Sequence, residues 1–202
     1  MIFEIKFSLS SHYIFKTNLV PQPMIQYVAF LRGINVSGHK LIKMEELRQH
    51  FEMPGISNIF TYIQSGNVLF ESEENNETLL RKTIEKQLAG KLGYPVTVIL
   101  RMAHEIKNVL SNNPFDHMKT EDVSKLYVTF LSEVPPFSVR GSLGVYSNDA
   151  EDARLVKRDV YIRTSNYGKT CFTNTLIEKK LGVSATTRNW ATVNKILELQ
   201  TK

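Results

Sequence analysis

The residues best suited to bind an anion lie in a glycine-containing loop that follows a β-prone run at 26–32. Two glycines enclose four residues of this loop, and a lysine follows closely. A loop between a strand and a helix can present backbone N–H groups to a phosphate or carboxylate, while Arg and Lys supply positive charge. The pattern predicts a ligand site, with a purely structural turn as the alternative; its residues would be Arg32, Gly33, Asn35, Gly38 and Lys40.

This loop lacks the features of a nucleotide P-loop. That motif needs a Ser or Thr directly after its Gly-Lys pair, because the lysine reaches the terminal phosphates and the hydroxyl holds Mg²⁺. Here the order is Gly38-His39-Lys40-Leu41, so the metal-binding hydroxyl is missing. Nucleotide hydrolysis of that kind is not predicted.

A second polar feature is Ser65-Gly66-Asn67, which separates two β-rich runs. A Gly/Asn turn in this setting predicts a β-hairpin, and a ligand contact from Ser65 or Asn67 is the alternative. We expect this turn to lie at the end of its sheet opposite the 33–40 loop, which argues against a simple pocket shared by the two.

A third feature is Thr187-Arg188-Asn189-Trp190 near the end of the chain. The guanidinium of Arg188 is a fork of donors suited to a carboxylate or phosphate. Asn189 is suited to cap a following helix or to contact a ligand, and Trp190 is expected to pack in the core. The stretch 167–170 (Tyr-Gly-Lys-Thr) is a weaker candidate for an anion site.

Metal, cofactor and covalent chemistry have little support in the sequence. The single Cys171 has no evident base partner and is expected to be an ordinary, partly buried thiol, which suits a reducing compartment. We predict no metal site and no cofactor, and no catalytic residue can be assigned. The five histidines show no metal-binding spacing; they are His12, His39, His50, His104 and His117.

The elements that must position these residues follow the order β-α-β-β-α-β through residues 24–102. This is the order of a ferredoxin-like unit, an antiparallel four-stranded sheet with both helices on one face. Residues 103–202 partly repeat the order and end in a helix. The sequence therefore predicts an α+β protein made of two ferredoxin-like units, the second degraded.

Three local signals in the second half predict where its elements begin and turn. A hairpin should turn near Arg158-Asp159, and Asn189 should lie near the start of the last helix. The stretch from Thr175 to Glu178 has capping-box spacing, in which a hydroxyl and a carboxylate satisfy each other's backbone amides.

Composition and charge bound the class of protein. The 202 residues are 42% hydrophobic and 22% charged, which is typical of a globular chain with a packed core. The net charge of +5 is spread over the chain, so a dedicated nucleic-acid binder is not indicated. No run approaches the roughly 20 apolar residues of a membrane span. A cytoplasmic protein is expected.

Residues 1–23 differ from the rest of the chain. Apolar and polar residues alternate over 3–10, and Pro21 and Pro23 follow. We expect this extension to lie outside the fold, with Met24 as the physiological start. An extra edge strand or a loose arm is the alternative.

Several of these segments together resemble the bacterial domain-of-unknown-function family 1697. The family's motif LRGINVGG matches 31–38, with Ser37 in place of its first paired glycine, and its SGN matches 65–67. Its TxRNW matches 186–190, and the resemblance extends over about residues 24–200. It implies an α+β fold with ferredoxin-like units and Met24 as the start, and it assigns no activity.

The leading functional hypothesis is a binding protein for a small anionic or phosphorylated ligand, with a nucleotide or a nucleic-acid segment among the candidates. Arg32, Lys40 and Arg188 would meet the charge, while Asn35 and loop amides would orient the ligand. This requires the second unit to bring Arg188 near the loop. The alternatives are an enzyme using His39 as acid or base, and a protein-interaction module with an exposed apolar patch.

Overall fold

The computed structural model of the protein describes residues 23–35, 41–116 and 125–201. The predictions for residues 1–22 and those for Ser37, Gly38, His39 and Lys40 lie outside the described residues. The elements are β1 (Ile25–Leu31), α1 (Met44–His50), β2 (Ile56–Tyr62), β3 (Asn67–Ser72), α2 (Glu77–Leu92), β4 (Val98–Met102), α3 (Ala103–Ser111), β5 (Leu126–Leu131), β6 (Glu151–Val156), β7 (Asp159–Thr164), α4 (Asn174–Leu181), β8 (Ala185–Asn189) and α5 (Trp190–Gln200).

The first sheet has the strand order β2-β3-β1-β4 with antiparallel neighbours. Since β1 and β2 both run antiparallel to β3, they run parallel to each other and end at the same edge. The expectation that the Ser65–Asn67 turn lies opposite the 33–40 loop is therefore wrong. The backbone N–H of Leu31 donates to Gly66 O at 2.8 Å, and Asn35 Nδ2 donates to Gln64 O at 2.9 Å.

The second sheet repeats this topology with the order β6-β7-β5-β8. Its first crossover contains two short 3₁₀ turns, Phe137–Val139 and Gly144–Tyr146, where the first unit has α1. The helix α4 occupies the place that α2 has in the first unit. The predicted α+β fold with two ferredoxin-like units, the second reduced, is confirmed.

Three apolar cores hold these layers together. One lies between the first sheet and α1 with α2, and another between the second sheet and α4. The central core joins the remaining faces of both sheets with α3 and α5. At its middle the rings of Phe30 and Phe130 stack with centroids 4.0 Å apart. Helices α1, α2 and α4 each cover one face, as expected, and the opposite faces are buried against each other.

Helix ends follow the sequence signals with one exception. Asn76 caps α2 by accepting from Leu79 N, and Gly93 ends that helix at φ +75°. The predicted capping box at Thr175–Glu178 is wrong, because Thr173 caps α4 through Leu176 N. The carboxylate of Glu178 instead accepts from Ala185 N at 2.9 Å, which ties α4 to β8.

A buried arginine of the first unit reaches into the second. Arg101 on β4 is fully buried, and its Nη2 donates to Leu131 O at 3.0 Å and to Arg158 O at 2.8 Å. The same nitrogen lies 2.8 Å from Asp159 Oδ1. This cation is therefore neutralised by a carboxylate at the interface between the units.

The exposed side of that interface carries a second ion pair network. Arg158 pairs with Glu77 at 2.8 Å and with Glu105 at 2.7 Å. Burial raises the pKa of Glu105, but hydrogen bonds from Arg158 and from the backbone of Met102 together hold it below the usual 4.5. Because the folded state lowers this pKa, ionised Glu105 stabilises the fold above pH 4.5, and that contribution is lost as pH falls through the folded pKa.

We expect Glu105→Gln to be less stable than wild type at pH 7 and to approach wild type as the pH is lowered from 5 to 3. Urea unfolding at each pH measures this difference. The matched control is Glu133→Gln on an exposed loop, which should stay within about 0.5 kcal/mol of wild type at pH 7. A Glu105→Gln difference that does not narrow at low pH would contradict the pKa argument.

Candidate functional site

Arg188 is one of the two predicted site residues that are buried in the described structure, together with Asn67. It lies on β8 opposite Val128 and is 7% exposed. Its guanidinium donates to six acceptors, three of them main-chain oxygens at the end of β1 and in the turn before β3. These acceptors are Asn67 Oδ1, Thr186 Oγ1, Thr187 O, Leu31 O, Ser65 O and Gly66 O.

This arrangement brings three of the sequence features together. Arg188 contacts the 65–67 turn, and Asn35 contacts Gln64 O, directly before that turn. The second unit therefore does bring Arg188 to the loop that follows β1. All N–H groups of the guanidinium already have protein acceptors, so direct contact with an anion would require Arg188 to give up one of them.

Arg188 and Arg101 occupy equivalent positions in the two units. Arg101 pairs with Val28 across β4 and β1, as Arg188 pairs with Val128 across β8 and β5. Arg101 lies 5.3 Å from the ring centroid of Phe130, and Arg188 lies 5.5 Å from that of Phe30. Each arginine thus reaches across the central core and binds the other unit in the same way.

The two arginines differ in their acidic partner. Arg101 meets Asp159, the first residue of β7, whereas Arg188 meets Asn67, the first residue of β3, at 2.5 Å. Asn67 also donates from Nδ2 to Tyr62 O at 3.0 Å, a bond that a carboxylate could not make. Within the described part of the chain no carboxylate pairs with Arg188.

The charge of Arg188 persists at neutral pH. Burial lowers the pKa of Arg188 to about 10, which leaves the guanidinium protonated at pH 7. An uncompensated cation in a low-dielectric interior exerts a stronger field than the same charge in water. The end of the molecule formed by the 65–67 turn therefore lies over a buried positive charge.

Arg32 serves as a clamp between the units. Its Nε donates to Ala185 O at 3.0 Å, and its Nη2 pairs with Glu178 at 2.5 Å. The two side chains are 32% and 24% exposed. A ligand would have to compete with Glu178 for this guanidinium.

Asn35 closes the base of the 36–40 loop. Its Oδ1 accepts from Ile42 N at 2.8 Å, and its Nδ2 donates to Ile42 O at 3.0 Å as well as to Gln64 O. The residue adopts φ +53°, a left-handed conformation that Asn tolerates better than most residues. Gly33 also has positive φ, at +70°. These two residues shape the loop, while Gly38 and Lys40 lie beyond the described segment.

Ser65 and Asn189 are exposed near the same edge. Ser65 Oγ accepts from Asn67 Nδ2 at 3.1 Å, so its hydroxyl hydrogen remains available to an outside acceptor. Asn189 caps α5, as predicted, by accepting from Thr192 N at 2.8 Å. The first turn of α5 therefore starts at Trp190, two residues after the buried Arg188.

An open groove of about 740 Å³ lies along the first turns of α5. Three aromatic side chains contribute to its wall, from β2, β5 and α5. The groove adjoins Asn67 and Arg188, because Tyr62 O accepts from Asn67 and Asn189 follows Arg188. Its lining residues are Tyr62, Tyr127, Asn189, Trp190, Ala191, Asn194, Lys195 and Glu198.

No motif in the sequence marks Tyr62 and Tyr127 as site residues, and the sequence predicts that Trp190 packs in the core. Trp190 is only partly buried, and it packs against the central core while lining the groove. A signal for Tyr127 exists in the sequence: residues 27–31 read YVAFL and residues 127–131 read YVTFL. This repeat marks the equivalent strands of the two units and, through them, the paired arginines.

The remaining candidates have structural surroundings. In the 167–170 stretch, Gly168 N donates to Asn166 Oδ1, and the Tyr167 ring stacks on Tyr127 with centroids 4.3 Å apart. Burial, together with the neighbouring Glu151, raises the pKa of Cys171 to about 11, so this thiol is protonated at neutral pH. Among the described residues no group of three His, Cys, Asp or Glu is placed to hold a metal ion, and no helix there is long and apolar enough to cross a membrane.

Comparison with known proteins places the chain in a family. Residues 24–161 match the family model described as Protein of unknown function (DUF1697). A solved structure, the conserved bacterial protein SP0830 from Streptococcus pneumoniae, is similar with a TM-score of 0.70 and 24% identity, covering 87% of this chain and 98% of that one. No curated protein matched. The chain belongs to the DUF1697 family.

Proposed function

We propose that the protein is a cytoplasmic binding protein for a small anionic or phosphorylated ligand, which it holds at the edge formed by the 33–40 loop, the 65–67 turn and the start of α5. The observation that carries this proposal is the buried charge of Arg188, whose hydrogen-bond acceptors among the described residues are all neutral. A buried arginine occupies the equivalent position in each unit. Arg101 pairs with Asp159, whereas Arg188, beneath this edge, has no carboxylate partner among the described residues.

In this proposal Arg188 acts through its field and through the turn that it holds in place. Its Nη2 donates to Ser65 O and Gly66 O, so the cation lies directly behind the turn. A fixed charge in a dry interior is screened by salt less than a surface lysine is. Direct contacts with the ligand come from the hydroxyl of Ser65, which is exposed, and from the ammonium of Lys40.

The side chains of Arg32 and Asn35 then have supporting roles. Arg32 pairs with Glu178, and Asn35 holds the two ends of the loop together. Asn189 lies at the start of α5, whose first backbone amides have no acceptor within the helix and favour negative charge. These groups give the edge a shape and a polarity that favour an oxyanion.

Calorimetric titration with inorganic phosphate and ribose 5-phosphate tests the proposal. We expect saturable binding of at least one of them, and we expect Ser65→Ala and Lys40→Ala each to weaken it about tenfold, the loss of one charge-assisted hydrogen bond. Ser57→Ala, an exposed serine at the other end of β2, and Lys82→Ala on α2 are the matched controls.

Two results would overturn the proposal. The first is the absence of saturable binding for both phosphate compounds. The second is binding that Ser65→Ala and Lys40→Ala leave at the level of the two control variants, since the anion would then lie elsewhere on the protein.

A further inference from the structure

We infer that the ligand carries a planar ring beside its anionic group and belongs to the class of nucleoside monophosphates, with the ring held in the groove along α5. This inference rests on the proposed function and adds a second, independent feature of the structure to it. The feature is the groove of about 740 Å³ that Tyr62, Tyr127 and Trp190 help to line.

The aromatic residues of this groove come from three separate elements. Tyr62 ends β2, Tyr127 lies on β5 and Trp190 begins α5, so both units contribute to one wall. All three side chains are only partly buried. Aromatic side chains that remain accessible in a concave region offer faces on which a planar base can stack.

The ring of Tyr127 is fixed in orientation. It stacks on Tyr167 with centroids 4.3 Å apart and an interplanar angle of 25°. Tyr167 in turn hydrogen-bonds the side chain of Thr187 on the neighbouring strand β8, and Thr187 Oγ1 donates to Asn174 Oδ1 at 2.7 Å at the start of α4. A ring held in this way loses little conformational entropy when a ligand stacks on it.

Polar groups along α5 complete the groove. Asn194 donates from Nδ2 to Trp190 O at 2.8 Å, which orients its amide and leaves Oδ1 as an acceptor for the edge of a base. Lys195 and Glu198 form an ion pair at 2.7 Å on the rim. A groove with aromatic walls and a few amide groups matches a nucleobase better than a bare sugar phosphate.

The position of the groove relative to Arg188 determines where the phosphate and the base of the ligand would lie. Tyr62 O is bonded to Asn67, which contacts Arg188, and Asn189 joins Arg188 to Trp190 along the chain. A phosphate over the 65–67 turn and a base in the groove are therefore neighbours. The groove volume lies within the usual range for small-molecule sites, so it accommodates one mononucleotide.

The single tryptophan of the chain makes the test direct, because Trp190 lines the groove and a base stacked there would change its surroundings. We expect adenosine or uridine monophosphate to change this fluorescence saturably, and ribose 5-phosphate to leave it unchanged while still binding by calorimetry. Tyr62→Leu should weaken nucleotide binding about tenfold or more, the loss of one stacking contact, and leave the affinity for ribose 5-phosphate at the wild-type value.

Phe137→Leu is the matched control, since this phenylalanine is 85% exposed on the second unit and does not line the groove. Its nucleotide affinity should equal that of wild type. Equal affinities for nucleotide and ribose 5-phosphate, with Tyr62→Leu unchanged, would overturn the inference and leave anion binding intact. Failure of every phosphate compound to bind would instead overturn the proposed function. A short single-stranded oligonucleotide that binds tenfold tighter than either mononucleotide would replace the inference with a nucleic-acid site.

Discussion

Replacement of Arg188 by methionine is expected to destabilise the protein by about 3–5 kcal/mol, because several acceptors in the other unit lose their hydrogen-bond donor. The loss leaves Leu31 O, Ser65 O and Asn67 Oδ1 without the donor that now serves them. Each buried acceptor that loses its partner costs about 1–3 kcal/mol. Methionine fills a similar volume, so the effect reports on hydrogen bonds and charge rather than on a cavity.

Urea unfolding at pH 7 measures this change, with Arg163→Met as the matched control. Arg163 is a strand arginine of the same sheet, partly exposed, and it donates to Asp149 O at 3.1 Å. We expect the control to lose less than about 1 kcal/mol. If both variants lose the same free energy of unfolding, Arg188 does not join the two units in the way that its contacts indicate.

The conservative variant Arg188→Lys separates the charge from the fork of donors. Lysine keeps the positive charge but has three donors on one nitrogen, so it cannot reach both the 65–67 turn and Thr186. We expect its stability to lie between those of wild type and Arg188→Met. The same variant should retain part of the phosphate affinity, because the proposed site uses the charge through its field.

Much of the fold could be predicted from the sequence because its strands and helices have clear local patterns. The order β-α-β-β-α-β, the hairpin turn near Arg158 and the Asn189 cap all follow from residue types and spacing. The capping box was misplaced by a local ambiguity. Thr173 and Thr175 both precede an apolar stretch, so the sequence does not decide which of them caps the helix. Glu178 binds Arg32, 146 residues away in the chain, and Ala185, seven residues away. A local pattern cannot reveal these contacts.

The site was less predictable because it depends on contacts between the units. The sequence identified Arg188 as a donor, but not that its acceptors lie up to 157 residues away. The relative position of the loop and the turn follows from the parallel direction of β1 and β2, a property of topology rather than of either motif. The groove joins β2, β5 and α5, which no single stretch of sequence contains.

Because the two units are equivalent, the residues of the sequence motifs can be assigned a structural role. Arg32, Asn35, Asn67 and Arg188 all bind protein atoms at the interface between units or at the base of the loop. Their first role is to hold the edge in one shape. The residues proposed above to contact the ligand lie beside them, and they include side chains that the motifs do not contain.

The glycine of the 65–67 turn provides a second large effect. Gly66 adopts φ +75°, and a Cβ built on it would lie 2.5 Å from Ile34 Cδ1 and 3.0 Å from Leu31 Cβ. Alanine must therefore adopt a left-handed conformation and displace the end of β1. The conformation costs about 1 kcal/mol, and overpacking in a tight site adds about 1–3 kcal/mol. We expect Gly66→Ala to lose about 2–4 kcal/mol in urea unfolding.

Gly93→Ala is the control that separates these two costs. Gly93 has the same φ of +75°, but no atom lies within 4 Å of a Cβ built there. We expect it to lose only about 1 kcal/mol, the conformational cost alone. Equal losses in the two variants would mean that Ile34 moves aside freely. The turn would then not be packed tightly against β1, and the loop and the turn could not present donors to a ligand from fixed positions.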